Sequence, residues 1–434
     1  MRQNLPRARS RKGGVGLASR NDFNYVRTPR EIVLFFFITG LTGLAMGLSD
    51  GIFSNYFKDV YNVDAMARGL IEFPRELPGL LCLVVISAGA FLGDIRMAIL
   101  AQGLMLIGIT VLGLVTPPFA IMLVFLFINS LGMHTYLPLN DSIGMSLVKD
   151  GRIGSRLGQF NGIRTATTMV AGLLVFFGFK YGFFSFTGPV ILPFLLSAGL
   201  LAVILVIYLA LQKQIGPQPV KRKKLRLVFK KRYRNYYILA VLNGAHKQIM
   251  VVFGPWVLIE LLGRKADTLA MLGVIGAAIG IVFMPLLGKW VDRFGPGRLM
   301  TIEGAAFISV YIAYGLLSRG FSDGTLAQTG WPVILVFILF ALNRMAMQFA
   351  MIRVVYLRQI AEVPEDITPT LSTGISMDHI VSIALAAAGG WAWIAIGPEY
   401  VFYVSAILSI FNVIISMRVT RETKEASEQQ ATAV

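Results

Sequence analysis

The chain has 434 residues, of which 56% are hydrophobic and only 15% are charged. A soluble globular protein carries about 25% charged residues, so the composition excludes that class and indicates a membrane protein. The net charge of +17 is concentrated in two places: eight Lys/Arg in the first thirty residues, and ten, with no acidic residue, from Lys213 to Arg234. No groove-reading element accompanies these charges. We therefore expect them at the cytoplasmic face of a membrane and do not expect nucleic-acid binding.

The apolar residues form successive runs of about 20, and each run can cross a bilayer as a helix. In chain order we predict twelve spans, at residues 31–57, 69–93, 97–116, 119–148, 157–179, 190–212, 236–262, 268–290, 299–318, 332–358, 370–396 and 400–418. The predicted domains are a basic leader (1–30), a six-helix bundle (31–212), a basic linker (213–235), a second six-helix bundle (236–418) and a tail (419–434). This all-α arrangement predicts cytoplasmic termini and linker, in an inner (plasma) membrane.

Span one carries Asp50 near mid-depth. An ionisable group inside a membrane helix is a functional candidate, so we predict that Asp50 binds substrate or carries a coupling proton. Span two carries Glu72, Arg75 and Glu76, with the two glutamates four residues apart on one face. These three residues admit two interpretations. They could act in transport, or they could lie at the outer interface at a proline-containing helix end.

Two related segments follow spans two and eight, at Ser87–Leu100 and Met284–Met300. We align Asp94 in the first with Asp292 in the second. The second segment carries the fuller Gly-x-x-x-Asp-Arg-x-Gly-x-x-Arg pattern, with the residues Gly288, Asp292, Arg293, Gly295 and Arg298. The first retains only Asp94 and Arg96 of it. This pattern, in a twelve-span chain with a basic midpoint linker, resembles the major facilitator superfamily.

The resemblance implies two pseudo-symmetric six-helix bundles that rock about a central site in alternating access. It does not specify a substrate. It also implies that the short loops after spans two and eight stabilise one conformation, with gating residues Asp94, Arg96, Gly288, Asp292, Arg293 and Arg298.

Spans four and five form a predicted hairpin that carries Asp141 and Arg164. Each lies seven residues from the cytoplasmic end of its helix, at a depth of ~10 Å, so we expect them to pair. A constant sequence offset relates these spans to spans ten and eleven, where Arg353 and Asp378 are expected to pair in the same way. The two pairs are either structural salt bridges or charges that line an inner cavity, and we assign Asp141 and Arg353 to gating.

Span seven carries Lys247, and a lysine in hydrocarbon costs roughly 2.5–3.5 kcal/mol on insertion scales. Asn243 shares its face and His246 borders that face. The cost is tolerable if Lys247 faces water and meets Asp50, Asp378 or an anionic substrate. The predicted substrate-binding residues are Asp50, His134, Arg164, Asn243, His246, Lys247, Arg344, Gln348, Asp378 and His379.

The leading hypothesis is a secondary active transporter, a symporter or an antiporter, for a small polar solute that is anionic or zwitterionic. Lys247, Arg164 and Arg344 would supply positive charge. Burial favours a protonated carboxylate and histidine titrates near neutral pH, so the proton-coupling candidates are Asp50, His134 and Asp378. The alternatives are a multidrug–proton antiporter and a flippase for a lipid-linked cargo.

The sequence offers little support for an enzyme or a receptor. It contains no zinc-protease, serine-hydrolase or phosphate-binding signature, and its three histidines lie on separate spans. We therefore expect no enzymatic activity, no cofactor and no metal site. The expected partners are a small-molecule substrate, a coupling proton and the lipid bilayer, and the expected oligomeric state is a monomer.

Overall fold

The computed structural model describes residues 29–147, 153–215, 229–346, 349–363 and 366–432. Within these ranges the chain forms helices joined by turns, without strands. The helices are α1 (Pro29–Ser49), α2 (Phe53–Tyr61), α3 (Ala65–Ala88), α4 (Asp94–Leu114), α5 (Phe119–Ser146), α6 (Ile153–Lys180), α7 (Leu192–Ile215), α8 (Arg234–Trp256), α9 (Ala266–Phe294), α10 (Pro296–Ser322), α11 (Trp331–Ala346), α12 (Ala350–Ile360), α13 (Ile367–Ala395) and α14 (Pro398–Thr432). Most of the predicted leader and linker lies outside the described residues.

Nine helical stretches among the described residues are long and apolar enough to cross a membrane. With α3, α8 and the consecutive α11 and α12, the helices are consistent with the twelve predicted spans. Charged and polar side chains interrupt the apolar character of α3 and α8. Span ten is divided, because α11 ends at Ala346 and α12 begins at Ala350.

The first span is irregular near its middle. A single 3₁₀ turn, Asp50–Ile52, joins α1 to α2, and the two helices continue as one stretch from Arg30 to Tyr61. Such local departures from α-helical geometry inside a membrane are tolerated where the backbone is buried in protein or lines a cavity. The turn packs against α9, and the Asp50 side chain on it remains accessible.

The helices form two halves, α1–α7 and α8–α14, which meet along two seams. In one seam α3 packs against α13, and in the other α6 packs against α9. A Cβ atom on Gly69 would lie 2.2 Å from the carbonyl oxygen of Ala386, and one on Gly390 would lie 2.6 Å from that of Ala65. Glycine at these two positions lets the backbones of α3 and α13 come into direct contact.

The described contacts between the halves extend from one side of the protein to its middle. We call the side where α7 ends and α8 begins the basic side, and the opposite side the far side. On the far side Lys58 pairs with Glu260 at 3.7 Å, and Asn55 donates a hydrogen bond to the Arg264 carbonyl at 3.4 Å. One apolar core runs through both halves, whereas a second core at the basic side contains residues of the second half alone. Among the described residues, the halves are therefore joined on the far side and parted on the basic side.

Lys230 fastens the end of the linker to the second half. Its ammonium group donates to Glu362 at 2.8 Å and also pairs with Asp366. Hydrogen bonding to Asp366, and then to Glu362, raises the pKa of Lys230. Lys230 consequently stays charged at physiological pH and holds the chain entering α8 against the connection between α12 and α13.

The loops after spans two and eight share one backbone feature. Gly93 precedes α4 with φ 78° and ψ 161°, and Gly295 precedes α10 with φ 78° and ψ 159°. This left-handed region favours glycine, so the two glycines mark equivalent positions in the halves. The alignment of Asp94 with Asp292 is therefore wrong, because Asp94 begins α4 whereas Asp292 lies in the last turn of α9. The corrected register pairs Arg96 with Arg298.

Candidate functional site

Four charged residues follow one another along α3, from its first turn on the far side to its middle. The Arg68 guanidinium lies 2.5 Å from a Glu72 carboxylate oxygen, and the Arg75 guanidinium lies 2.6 Å from the same oxygen. Arg68 and Glu72 are 1% and 0% exposed. Glu76 follows one turn later. A buried charge is stable only when it is paired and hydrogen-bonded. Arg68 and Arg75, both on α3, provide that pairing for Glu72.

The two glutamates of α3 also reach the second half. The Gln248 side-chain amide on α8 donates to the free oxygen of Glu72 at 3.0 Å. His379 Nδ1 on α13 lies 2.7 Å from Glu76 Oε2. A Cβ on Gly79 would lie 2.3 Å from the His379 ring, so the glycine lets the imidazole approach α3. Both glutamates thus form polar contacts across the boundary between the halves.

Lys247 and Asp378 form the neighbouring pair, within the second half. The Lys247 ammonium lies 2.5 Å from the Asp378 carboxylate, and the two side chains are 27% and 14% exposed. Gly244 makes the approach possible, because a Cβ there would lie 2.7 Å from Asp378 Oδ1. The cost of a lysine in this span is therefore offset by an ion pair that retains access to solvent.

His134 and Asp50 complete the cluster from the first half. The His134 ring meets the His379 ring edge to face, with 5.1 Å between centroids. Asp50 is exposed, although Leu48, Ser49 and Ile52 around it are buried, and it interacts electrostatically with Arg75. We call the residues Asp50, Glu72, Arg75, Glu76, His134, Lys247, Gln248, Asp378 and His379 the central cluster.

Residues 35–363, more than half of the chain, match the family described as Major Facilitator Superfamily. The chain belongs to the major facilitator superfamily. The predicted family and fold are confirmed, and the protein is a transporter and not an enzyme.

Solved transporter structures resemble at least 90% of the chain. Nucleoside transporter NupG matches with a TM-score of 0.69 at 15% identity, covering 90% of this chain and 99% of its own. The POT family transporter PepTSo matches with a TM-score of 0.73 at 11% identity, covering 92% and 99%. A bacterial homologue of iron transporter ferroportin in an inward-facing state matches with a TM-score of 0.67 at 15% identity, covering 90% and 98%. These low identities show the fold alone. No curated protein sequence matches the chain.

The two predicted ion pairs on the spans four–five and ten–eleven hairpins are wrong. Arg353 pairs with the buried Glu303 carboxylate of α10 at 3.1 Å and hydrogen-bonds Asn243, so it is not available to Asp378. Arg164 donates to the Asn161 side chain of its own helix at 2.9 Å and has no ion pair with Asp141 among the described contacts. Equal depth in the membrane did not identify the partners, because Arg353 reaches α10 and Arg164 bonds within its own helix α6.

Two further candidates lie outside the central cluster. His246 is 2% exposed and stacks on α10, with its ring centroid 4.9 Å from that of Phe307 and 5.5 Å from that of Tyr311. Arg164 lies on α6, where that helix packs against α1. Among the described contacts, the side chain of neither residue meets that of Lys247. Gln348 and the side chain of Arg344 lie outside the described part of the transporter.

The predicted gating residues lie near the basic side. Asp94, at the start of α4, accepts a hydrogen bond of 2.5 Å from Ser142 near the end of α5. The remaining charged members of the two loops are exposed: Arg96, Asp292, Arg293 and Arg298. A Cβ on Gly288 would have no neighbour within 4 Å. The charged residues of the loop after span eight are thus solvent-exposed on the basic side, where the halves are separated.

Sequence reasoning left out residues that the structure makes central. The sequence allows an interfacial interpretation of Glu72, Arg75 and Glu76, and Glu303 is not among the predicted site residues. The spacing of Glu72, Arg75 and Glu76 at i, i+3 and i+4 does indicate such a central role, since charges in a membrane helix must find partners inside the protein. Among the described residues, no group of three or more His, Cys, Asp or Glu side chains is arranged to hold a metal ion.

Proposed function

We propose that the transporter moves a small polar organic solute, zwitterionic or anionic, by proton-coupled alternating access. The observation that carries this proposal is the mixed charge of the central cluster. The partly accessible Lys247 can attract a carboxylate, and the Asp378 and Glu76 carboxylates beside it can attract an ammonium group. A lipophilic cargo would gain nothing from so many charged groups, which cost free energy in a membrane unless they are used.

The same proposal assigns a conformation and an orientation. The halves are joined on the far side and parted on the basic side, and the basic segment Lys213–Arg234 favours the cytoplasm for the latter. We infer an inward-facing state in a plasma membrane, with both termini cytoplasmic and a monomer as the working unit. In this state the central cluster is reached from the cytoplasm.

Counterflow in proteoliposomes tests the substrate class. Liposomes that contain purified transporter are loaded in turn with a dipeptide, a dicarboxylate, a nucleoside or a lipophilic cation, and uptake of the labelled compound is followed with and without a pH gradient. We expect uptake of a zwitterion or an anion that a proton gradient drives uphill. Uptake restricted to the lipophilic cation would instead support the multidrug alternative.

A matched pair of variants separates the site from surface charge. Lys247→Gln removes the accessible positive charge of the cluster and should weaken uptake at least about tenfold, which corresponds to about 1.4 kcal/mol of binding free energy. Lys180→Gln removes an exposed lysine from the far-side end of α6 and should leave uptake unchanged. Equal effects of the two substitutions would refute a substrate role for Lys247.

A further inference from the structure

Among the described contacts between the halves, the bond between Glu76 and His379 joins two side chains that both titrate. Glu76 belongs to α3 in the first half and His379 to α13 in the second, with 2.7 Å between the bonded atoms. The two residues lie near the middle of their helices. The other ionisable pair across the boundary, Lys58 with Glu260, is longer at 3.7 Å and lies at the far-side surface.

The far side can open only if α3 moves away from α13. That movement must separate Glu76 from His379, whereas the Lys247–Asp378 pair can move as a unit because both residues belong to the second half. Leaving a single ionised carboxylate without its partner inside a protein is costly. The Glu76–His379 bond is therefore an obstacle to opening for as long as Glu76 is ionised.

The surroundings of Glu76 change when the halves separate. In the present conformation the carboxylate is stabilised by the His379 N–H and by the positive charges of Arg75 and Lys247. Two of these three groups, His379 and Lys247, belong to the second half. The other titratable groups near the bond are Glu72 on α3 and His134 on α5, and Asp378 on α13 pairs with the neighbouring Lys247. Separation leaves Arg75 as the positive neighbour of Glu76 on its own helix, with Glu72 as a competing carboxylate.

We propose that the Glu76–His379 bond is the coupling element of the transporter: Glu76 takes up one proton as α3 and α13 part, and releases it when they rejoin. In the joined state Glu76 is a carboxylate that accepts a hydrogen bond from the Nδ1–H of His379. Uptake of one proton from the far-side solution converts Glu76 to a carboxylic acid and removes the charge from the bond. Release of this proton to the basic-side solution restores the Glu76 carboxylate and its bond to His379. This proposal rests on the proton coupling inferred above, and replaces Asp50 and Asp378 with Glu76 as the proton-carrying carboxylate.

Spin labels on the far side test the proposal without any substrate. In a chain with Cys82→Ser, the substitutions Phe183→Cys and Trp331→Cys place labels on exposed far-side positions of the two halves. Distances are measured by double electron–electron resonance in lipid nanodiscs from pH 5 to pH 9. We expect the fraction of long distances to rise as the pH falls, with one midpoint.

Two variants and a control make the result specific. Glu76→Gln should give the same distribution of distances at every pH. His379→Gln keeps the carboxylate but removes the imidazole, and should move the midpoint upward by at least about one pH unit, a tenfold change in proton concentration. Glu31→Gln, a buried glutamate at the start of α1 and away from the seam, should leave the midpoint unchanged.

Three results would overturn the proposal: no pH dependence in the parent chain, an unaltered midpoint in Glu76→Gln, or an unaltered midpoint in His379→Gln. The measurement on His379→Gln keeps the proposal testable if Glu76→Gln does not fold. Because no substrate is present, a negative substrate screen in liposomes would not affect this outcome. Conversely, if proton-driven transport of the substrate were the same in Glu76→Gln as in the parent chain, the coupling role would be refuted. The proposed substrate class would not be affected by that result.

Discussion

The Nζ atom of Lys247 lies 2.5 Å from the Oδ2 atom of Asp378, and the same approach places Asp378 against Gly244 of α8. Helix α8 thus supplies both the Lys247 ammonium group and, at Gly244, the space that the Asp378 side chain occupies. Of the three partners expected for Lys247, the structure selects Asp378. Because the pair keeps some solvent access, a solute that enters from the basic side can compete for either charge.

Removing one member of the Lys247–Asp378 pair should cost more than removing both. A lone charge left in a largely buried site destabilises by about 3 kcal/mol, whereas loss of the whole pair is close to neutral. We expect Lys247→Gln and Asp378→Asn each to lower the melting temperature in detergent, and the double variant to recover most of the loss. Additive effects would mean that the two side chains act independently.

The closely packed Gly79 should not tolerate a methyl group. A Cβ at this position would displace the His379 ring, which lies 2.3 Å away, and with it the bond to Glu76. We expect Gly79→Ala to reduce uphill transport strongly. Gly103→Ala in α4 is the matched control, because no atom lies within 4 Å of its Cβ and the change favours the helix by about 1 kcal/mol. Equal transport by both variants would contradict the steric argument.

The buried Glu303–Arg353 pair should contribute to folding rather than to substrate choice. Glu303→Gln leaves a guanidinium in a site that is almost fully buried, so we expect a loss of about 3 kcal/mol. Combined with Arg353→Gln, the loss should shrink. Thermal unfolding measures this effect, and substrate affinity in the surviving protein should stay at the wild-type value. A selective loss of affinity would instead place the pair in the transport path.

The far-side pair of Lys58 and Glu260 should behave differently. Both side chains are 28% exposed and their charges are 3.7 Å apart, and such pairs contribute about 0–1 kcal/mol. Glu260→Gln should therefore leave the melting temperature nearly unchanged, in contrast to Glu303→Gln. A drop as large as that of Glu303→Gln would show that this pair is a major part of the far-side closure.

The predicted orientation can be read with fused reporters. A reporter placed after Lys224 and another placed after Glu428 should both give cytoplasmic signals, since the positive charge at the midpoint holds the linker inside. Alkaline phosphatase and green fluorescent protein fusions give opposite readouts and check each other. A periplasmic signal at either position would contradict the orientation.

Hydropathy and charge were sufficient to predict the two-bundle fold. Long apolar runs identify helices that must satisfy their backbone internally, and the basic midpoint segment separates the halves. The boundaries differ where local geometry intervenes. The predicted span 31–57 extends to Tyr61 through a 3₁₀ turn, and the predicted span 332–358 is divided between α11 and α12. Such breaks depend on packing, which periodicity does not record.

The central cluster was predictable only in part. Lys247, Asp378, His379 and His134 were identified because ionisable groups stand out in apolar helices. Glu76 was not assigned, because its partner is 303 positions away on the other half. The contact exists through the α3–α13 seam, and no local pattern in either helix specifies which residues meet there. Arg353 was matched to Asp378 by depth, and its true partner Glu303 lies on a helix outside that comparison.

The two glycine-lined seams restrict how a lipid could reach the interior. On the far side, α3 and α13 touch through their backbones at Gly69 and Gly390, and a Cβ on Gly172 of α6 would lie 2.7 Å from Val274 of α9. No acyl chain fits between helices at that separation. In this conformation the two seams are closed to an acyl chain at these far-side positions, which favours entry of an amphiphile from the leaflet next to the linker. A flippase for lipid-linked cargo would then load its head group from that leaflet, which assigns a single starting membrane face to that alternative.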